Sequence, residues 1–459
     1  MSSSRTARVK RARLDVTTVA AVVIPLLALL AALLVDTGTT RAREGAPPEE
    51  TPLTRASVVC PAGGSDVLVT STSGVSGQVD VRAGGSDPEA VDVAPGATTT
   101  VPVDQRAVVV TGEGALAPGL VAGRFSAPLA SFDCRPPVFD QWFTGVGAGA
   151  KHRSILQLVN PDEGRAVVDV TVLGADGVVD APQLLGVTVE GGASRSLPLA
   201  EILPRRDELA LHVTVVRGRI AASVRDTVRG LGGGRTGDDG LASQAAPATS
   251  NLVLGIPSGS GPRTLVLANP TTSQGRATVS LVTRDAVFEP RGLDAVDLPP
   301  QSVVVVPVAE VLRAAGTGDG QAVGLQVDST VATTASLSMF VKGDLATAVP
   351  VAPLAGAGTA VLPDGGKGLL LGDADAPGVV TVVARKADGT VLQDKRVEVA
   401  PGRADTVALP DGTRLVTVTP ARTSVAAVVL VVSDGGATVV RLRAPVTTGL
   451  VPDVRVGPP

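Results

Sequence analysis

Active sites draw their acids, bases, nucleophiles and metal ligands mainly from His, Cys and grouped carboxylates. This chain has two His and two Cys in 459 residues. His152 lies in AGAKHRSI, and His212 alternates with apolar residues in LALHVTV. Neither has a cysteine or a run of carboxylates beside it in the sequence, and a zinc site needs three or four ligands. His152 therefore reads as a surface imidazole and His212 as a strand-face residue. Asp373 and Asp375, in LGDADAPG, open like a calcium loop but lack its later ligands, so they read as a solvated turn. Gly145, Gly147 and Gly149, in TGVGAGA, miss the dinucleotide spacing and precede a strand. GTGDGQ at 316–321 fails the same test. Ser258, in IPSGSG, follows a proline and shows no strand-to-helix turn, so it is not a nucleophile elbow. No catalytic, metal or cofactor residue is assigned, no cofactor is expected, and the chain is read as a non-enzyme.

One further group could recognise a ligand. Phe139, Trp142 and Phe143, in FDQWFTGVG, are three of seven aromatics in a chain with six Phe, one Trp and no Tyr. They are candidates for a partner or glycan contact. The competing reading is a core plug or an interdomain packing cluster, because large aromatics mostly bury. Elsewhere aromatics are too scarce for the stacking platforms of sugar or single-strand sites. A net charge of −4 and a pI of 5.4 argue against a nucleic-acid partner.

The N-terminus decides where such residues would work. Residues 16–35, VTTVAAVVIPLLALLAALLV, carry no charge and are long enough to span hydrocarbon as a helix. Arg5, Arg8, Lys10, Arg11 and Arg13 precede them, which keeps the N-terminal side, residues 1–15, in the cytoplasm and exports the rest. The core is longer than a signal peptide's and lacks an Ala-x-Ala site, so an uncleaved single-pass anchor is expected. Residues 36–56 read as a flexible stalk. In an exported chain Cys60 and Cys134 are expected to form a disulfide, the alternative being two buried thiols. Closing a loop of about 75 residues contributes roughly 4.5 kcal/mol in the chain-entropy model.

The exported part is repetitive. LVNPDEGRAVVDVTVL (158–173) and LANPTTSQGRATVSLVT (267–283) are nearly one sentence written twice. Ala166, Val168, Val170 and Val172 share one face of an extended segment, as do Ala277, Val279, Leu281 and Thr283. A thirteen-residue strand–turn–strand block occurs four times: VDVAPGATTTVPV (91–103), VTVEGGASRSLPL (187–199), VDLPPQSVVVVPV (296–308) and VEVAPGRADTVAL (397–409). PLAEIL (198–203) and PVAEVL (307–312) each allow one helical turn. The pattern predicts an all-β chain of tandem immunoglobulin-like β-sandwich modules, with six or seven strands each, after the N-terminal transmembrane helix. They fall at 57–137 (disulfide-stapled), 138–245, 246–361 and 362–459, as beads on a string. The Gly-rich segment 229–240 is a linker between the second and third modules or a long hairpin tip within the second.

Several segments together resemble an actinobacterial family of exported, membrane-anchored proteins known only as a domain of unknown function. They are the basic-then-apolar N-terminus, VVCP at 58–61, WFTGVGAGAKHRSILQLVNPD at 142–162, VDAPQLLGVTV at 179–189 and AASVRD at 221–226. The resemblance implies a cell-envelope location and carries no activity. The function expected is a non-catalytic scaffold or interaction protein, held to the membrane by residues 16–35 and meeting an envelope protein or polysaccharide. The alternative is a glycan-binding accessory in envelope polysaccharide assembly.

Overall fold

Small aliphatic residues at every second position build each module in the same way. The structure, a computed structural model, describes residues 23–27, 49–127, 129–231, 235–316 and 320–451. The expected membrane span lies almost wholly outside them. Residues 23–27 are helical, and no helix among the described residues is long and apolar enough to cross a membrane.

The chain divides into two units. One is residues 1–51 with 449–459, and it holds most of the paired strands Glu49–Pro52 and Thr448–Val451. The other, residues 52–448, holds four β-sandwiches. In the first sandwich the strands are Arg55–Cys60, Val67–Ser71, Gly77–Ala83, Glu89–Val93, Thr99–Val101, Val108–Glu113, Leu120–Ser126 and Ala130–Phe132. Taken in chain order, strands 1-6-3-4 form one antiparallel sheet and 5-2-7-8 the other.

The same order recurs three times. The second module runs from Asp140–Val146 to Arg235–Leu241, with its fourth position split between Gly177–Val179 and Val187–Val189. In the third, Ala248–Leu254 to Asp344–Ala348, the sixth and seventh strands are one 18-residue strand, Gly324–Val341, that passes from one sheet to the other. The fourth runs from Gly358–Val361 to Gly436–Arg441.

Each module thus has eight strand positions rather than six or seven. Gly358–Val361, at the end of the span assigned to the third module, pairs with Leu415–Ala421 of the fourth. The Gly-rich segment is not a linker, because Ala221–Leu231 and Arg235–Leu241 pair as a hairpin within the second module. PLAEIL and PVAEVL hold short helices, Leu199–Ile202 and Ala309–Ala314.

The repeated segments have physical tasks. The thirteen-residue block carries the chain from strand four in one sheet to strand five in the other. Its eleventh residue is buried in all four copies: Val101, Leu197, Val306 and Val407. Each belongs to its own module's core. Full burial of such a side chain contributes about 1.5–3 kcal/mol. The two Asn-Pro pairs are loop staples. Asn160 Nδ2 donates to Gly164 O (2.7 Å) and Val189 O (3.2 Å), while its Oδ1 accepts from Asp162 N. Asn269 does the same with Ser273 O, Leu298 O and Thr271 N. A buried amide that fills its hydrogen bonds at a turn fixes that turn.

The modules are not beads on a string. Val59 and Val109 of the first meet Val159 and Ala221 of the second. Trp142 and Ala210 of the second meet Val266 and Val303 of the third. Leu252 and Val282 of the third meet Leu370 and Val428 of the fourth. Leu68 and Phe125 of the first share a cluster with Val361 and Leu369 of the fourth. Each module therefore touches the next and the fourth returns to the first. The eighth strand of each module faces the middle of this cycle, where Arg235–Leu241 packs on Ala130–Phe132 and Asp344–Ala348, and Gly436–Arg441 packs on both of those strands.

Candidate functional site

Polar side chains converge where the four inner strands meet. Asp239, 1% exposed, projects from the second module. Its Oδ1 accepts from Ser131 N of the first module (3.0 Å) and Thr438 Oγ1 of the fourth (3.3 Å). Its Oδ2 accepts from Thr347 N (2.9 Å) and Oγ1 (3.1 Å) of the third. One carboxyl group thus ties its own module to the other three. Burial pushes Asp239 up to about 8, against the donors that favour the charged form. The glycines of TGDDG permit the approach. A Cβ at Gly237 would overlap Leu345 N, and one at Gly240 would overlap Ser131 O. Beside it Asp344 accepts from Asp238 N (3.2 Å), and its own Oδ2 has no partner. Burial raises Asp344 to about 6.

A second group lies between the first and fourth modules. Asp133 Oδ2 accepts from Arg441 Nη2 (2.9 Å) and from Arg443 Nη2. Arg441 Nη1 also donates to Ser243 O (2.9 Å). Burial alone would raise Asp133, but the guanidinium groups of Arg443, Arg441 and Arg135 hold it down at about 2. Arg135 is 8% exposed, and its Nε and Nη1 have no hydrogen-bond partner. A cavity of about 100 Å³ adjoins this group. It is lined by Asp133, Cys134 and Pro136, by Gly240 and Thr347, and by Arg441 and Arg443, so all four modules reach it.

The residues singled out in the sequence fall elsewhere. His152 is not a surface imidazole, being 7% exposed. Its Nε2 lies 2.8 Å from Asp226 Oδ2 and its Nδ1 3.2 Å from Glu208 Oε1, and Ser154 Oγ donates to Asp226 Oδ1. Burial would lower this histidine, but Asp226 and then Glu208 raise it to about 10. It is a clamped imidazolium at neutral pH, so it holds no free lone pair with which to accept a proton. Ser154 bonds the carboxylate rather than the imidazole, which is not the nucleophile–base arrangement. Gly147 is glycine because a Cβ there would enter the His152 ring.

Trp142 and Phe143 are buried, at 7% and 1%, and only Phe139 of the aromatic cluster is exposed, at 63%. Trp142 stacks on His212, with ring centroids 4.0 Å apart, and packs against the third module. Beside it, Thr144 Oγ1 meets Thr334 Oγ1 at 2.6 Å. Gly145, at φ +80°, leaves room for Ser336. Trp142 and Phe143 are therefore packing residues. A large flat ring is the best available filler where two sheets built of Val and Ala meet.

Cys60 and Cys134 form the disulfide, which fixes the segment bearing Asp133 and Arg135. Asp375 caps a turn, accepting from Ser424 N (2.7 Å) and Thr423 Oγ1 (2.9 Å). Asp373 is exposed on the same loop. Gly149 leaves room for Asp207, Ser258 is exposed on a loop, and 317–319 lie outside the described residues. Among the described residues no three His, Cys, Asp or Glu gather as a metal-ligand set.

Neither inner group was anticipated. Its members lie far apart in the chain, and the one local signal was TGDDG, with two acids between glycines on a strand.

Among solved structures, the Streptomyces avermitilis alpha-L-rhamnosidase complexed with L-rhamnose aligns over 85% of this chain at 10% identity, with a TM-score of 0.12. The chain spans about half, 55%, of that protein's length. That likeness carries no argument. No curated protein matches the chain. A family match covers residues 102–410, from the first module's core into the fourth, and on that evidence the chain belongs to the Family of unknown function (DUF5719).

Proposed function

We propose that the chain is a non-catalytic scaffold or interaction protein of the cell envelope, anchored by residues 16–35 with its β-modules outside the membrane. The observation that carries this reading is the joining of four like modules by buried contacts into one unit. Such a body presents a broad, fixed surface, which is what a scaffold requires. The clamped state of His152 adds to it, because the chain's most buried imidazole serves structure. The disulfide fits an oxidising compartment. Phe139 and Val216, 63% and 62% exposed, offer apolar contact on the second module. They lie close together, since Phe139 O accepts from Val215 N. A glycan-binding role has less support, because Trp142 has its ring face against His212.

The test is cross-linking in intact cells with the full-length chain, a Phe139→Ser variant and a Trp142→Ala variant. The reading expects a specific envelope partner that Phe139→Ser reduces at unchanged stability. Trp142→Ala should act through stability instead. Absence of any specific cross-linked partner for the unmodified chain would sink the proposal.

A further inference from the structure

We propose that a cavity in the third module, between the loop 256–261 and the helix Ala309–Ala314, binds a phosphate group through Arg263 and Arg313. Both arginines line this one cavity, whose volume is about 180 Å³. Two glycine-rich stretches that match neither a nucleophile elbow nor a dinucleotide fingerprint meet here. IPSGSG supplies Ser258, Ser260 and Gly261, and the other supplies Gly316 and Gln321. The first argument is charge. Arg263 is 4% exposed, and burial lowers its pKa with no neighbouring carboxylate to oppose it. Arg313 is exposed and forms no ion pair among the described residues. Among the described residues no Asp or Glu lines the cavity. Two positive charges thus border it without a counter-charge, and a buried cation without a partner costs stability. A phosphate dianion supplies both missing charges, whereas a carboxylate supplies one.

The second argument is hydrogen bonding. Arg263 Nη1 donates to Pro262 O (3.0 Å) and Phe340 O (2.7 Å), but Nη2 reaches no protein acceptor. The fold fills part of this guanidinium and leaves the rest open. The open group belongs to the cavity wall. A Cβ at Gly261, which also lines the cavity, would lie 3.1 Å from Arg263 Nη1 and would overlap Phe340 O. The loop is fixed at both ends, because Gly255 N and Ile256 N donate to Val323 O and Pro262 O accepts from Phe340 N. Between these ends the exposed hydroxyls of Ser258 and Ser260 have no protein partner among the described residues. Guanidinium and hydroxyl donors together suit the oxygens of a phosphate group.

The third argument is space and access. The cavity has room for roughly six waters at about 30 Å³ each, which is enough for a phosphate group and the first carbons of an ester. Ile256, Pro257, Leu312 and Ala322 give it an apolar wall against which those carbons would lie. The exposure of Ser258, Ser260 and Arg313 leaves it open to solvent. Val308 N donates to Arg263 O (3.0 Å), which ties the entry to the helix to the strand that carries the buried arginine.

The phosphate group could be free inorganic phosphate or a monoester on a larger molecule, and the test separates these sources. Calorimetric titration of the full-length chain in phosphate-free buffer would use inorganic phosphate, glycerol phosphate, acetate and chloride at matched ionic strength. The proposal expects one saturable phosphate site per chain and no saturable binding of chloride. Equal or tighter binding of glycerol phosphate assigns the site to a monoester, and selective binding of inorganic phosphate assigns it to the free ion. Arg263→Met should weaken binding at least about tenfold, which is about 1.4 kcal/mol. Arg313→Gln, at an exposed position, should do the same and decides the matter if the first variant fails to fold. Phosphate binding unchanged in a folded variant would overturn the proposal. Acetate binding as tight as that of phosphate would overturn it too, as would no saturable phosphate binding below about 10 mM.

Discussion

Two arginines of the first module are buried, Arg124 at 0% exposure and Arg135 at 8%, and they have opposite surroundings. Arg124, on the strand Leu120–Ser126, spends its donors on backbone carbonyls. Nε reaches Ser65 O (3.0 Å), Nη1 reaches Pro61 O (2.7 Å) and Arg106 O (2.6 Å), and Nη2 reaches Gly64 O (3.2 Å) and Asp104 O. A guanidinium has five N–H groups, and here five carbonyls take them. Arg135, one residue past Cys134, leaves two nitrogens without acceptors and has two more arginines for neighbours. Burial lowers both, Arg124 to about 10 and Arg135 to about 9, so both remain cations at neutral pH. Burial of an arginine is therefore no sign of function in itself.

The sharpest way to break this comparison is Arg124→Met. It would strip donors from several buried carbonyls at once, each worth about 1 kcal/mol or more. A loss on the order of 4 kcal/mol is expected, read as a lower urea midpoint at unchanged slope. A loss below about 1 kcal/mol would mean that water replaces the guanidinium, and Arg124 would not be the closed case described. Asp133→Asn comes next. The folded carboxyl sits at about 2 against an unfolded value near 3.9, so its stabilisation is present above about pH 4 and lost as pH falls towards 2. Two units correspond to about 2–3 kcal/mol at neutral pH. The variant should lose about that amount at neutral pH and show a flatter acid limb in urea titrations between about pH 4 and 2.

The modules were legible in the sequence for a simple reason. Burial of one sheet face forces alternation, so Ala166, Val168, Val170 and Val172 could be assigned to a core before any coordinates. Their mutual packing was not legible, because Val266, Ala268 and Val303 at an interface are the same residue types as those within a core. The eighth strands were missed because each follows a tight hairpin, because Ala130–Phe132 is only three residues long, and because Arg235–Leu241 is rich in Gly and Asp rather than in strand formers. The clusters were hidden by distance along the chain. Arg441 and Asp133 are 308 residues apart, and His152 and Asp226 are 74 apart. The segments that carried the family resemblance nevertheless hold both halves of the second pair, in KHRS and AASVRD.

The inner strands give a pH response of opposite sign to that of Asp133. Folded Asp239 keeps its proton up to about pH 8, whereas the unfolded chain releases it near pH 4. The folded state therefore binds more protons in that window, and stability falls as pH rises through it. The slope is at most about 1.4 kcal/mol per pH unit for one group. Asp344, raised to about 6, adds the same sign between about pH 4 and 6. Asp239→Asn should flatten the pH 6–8 part of the curve in urea titrations. An unchanged slope there would mean that its hydrogen-bond donors keep the carboxylate charged.

The smallest effect is the most discriminating, because its sign separates the two arginines. Arg135→Met keeps the aliphatic stem of the side chain and removes one cation and two unpartnered donors. It also removes an attraction to Asp133, which Arg441 and Arg443 still engage. The lost repulsion and the lost orphan donors outweigh that attraction, so the variant should be more stable by about 1 kcal/mol in urea titrations. The same substitution at two buried arginines would then move stability in opposite directions. If Arg135→Met instead loses stability, Arg135 belongs with Arg124 as a structural cation, and its unpartnered nitrogens are satisfied by solvent.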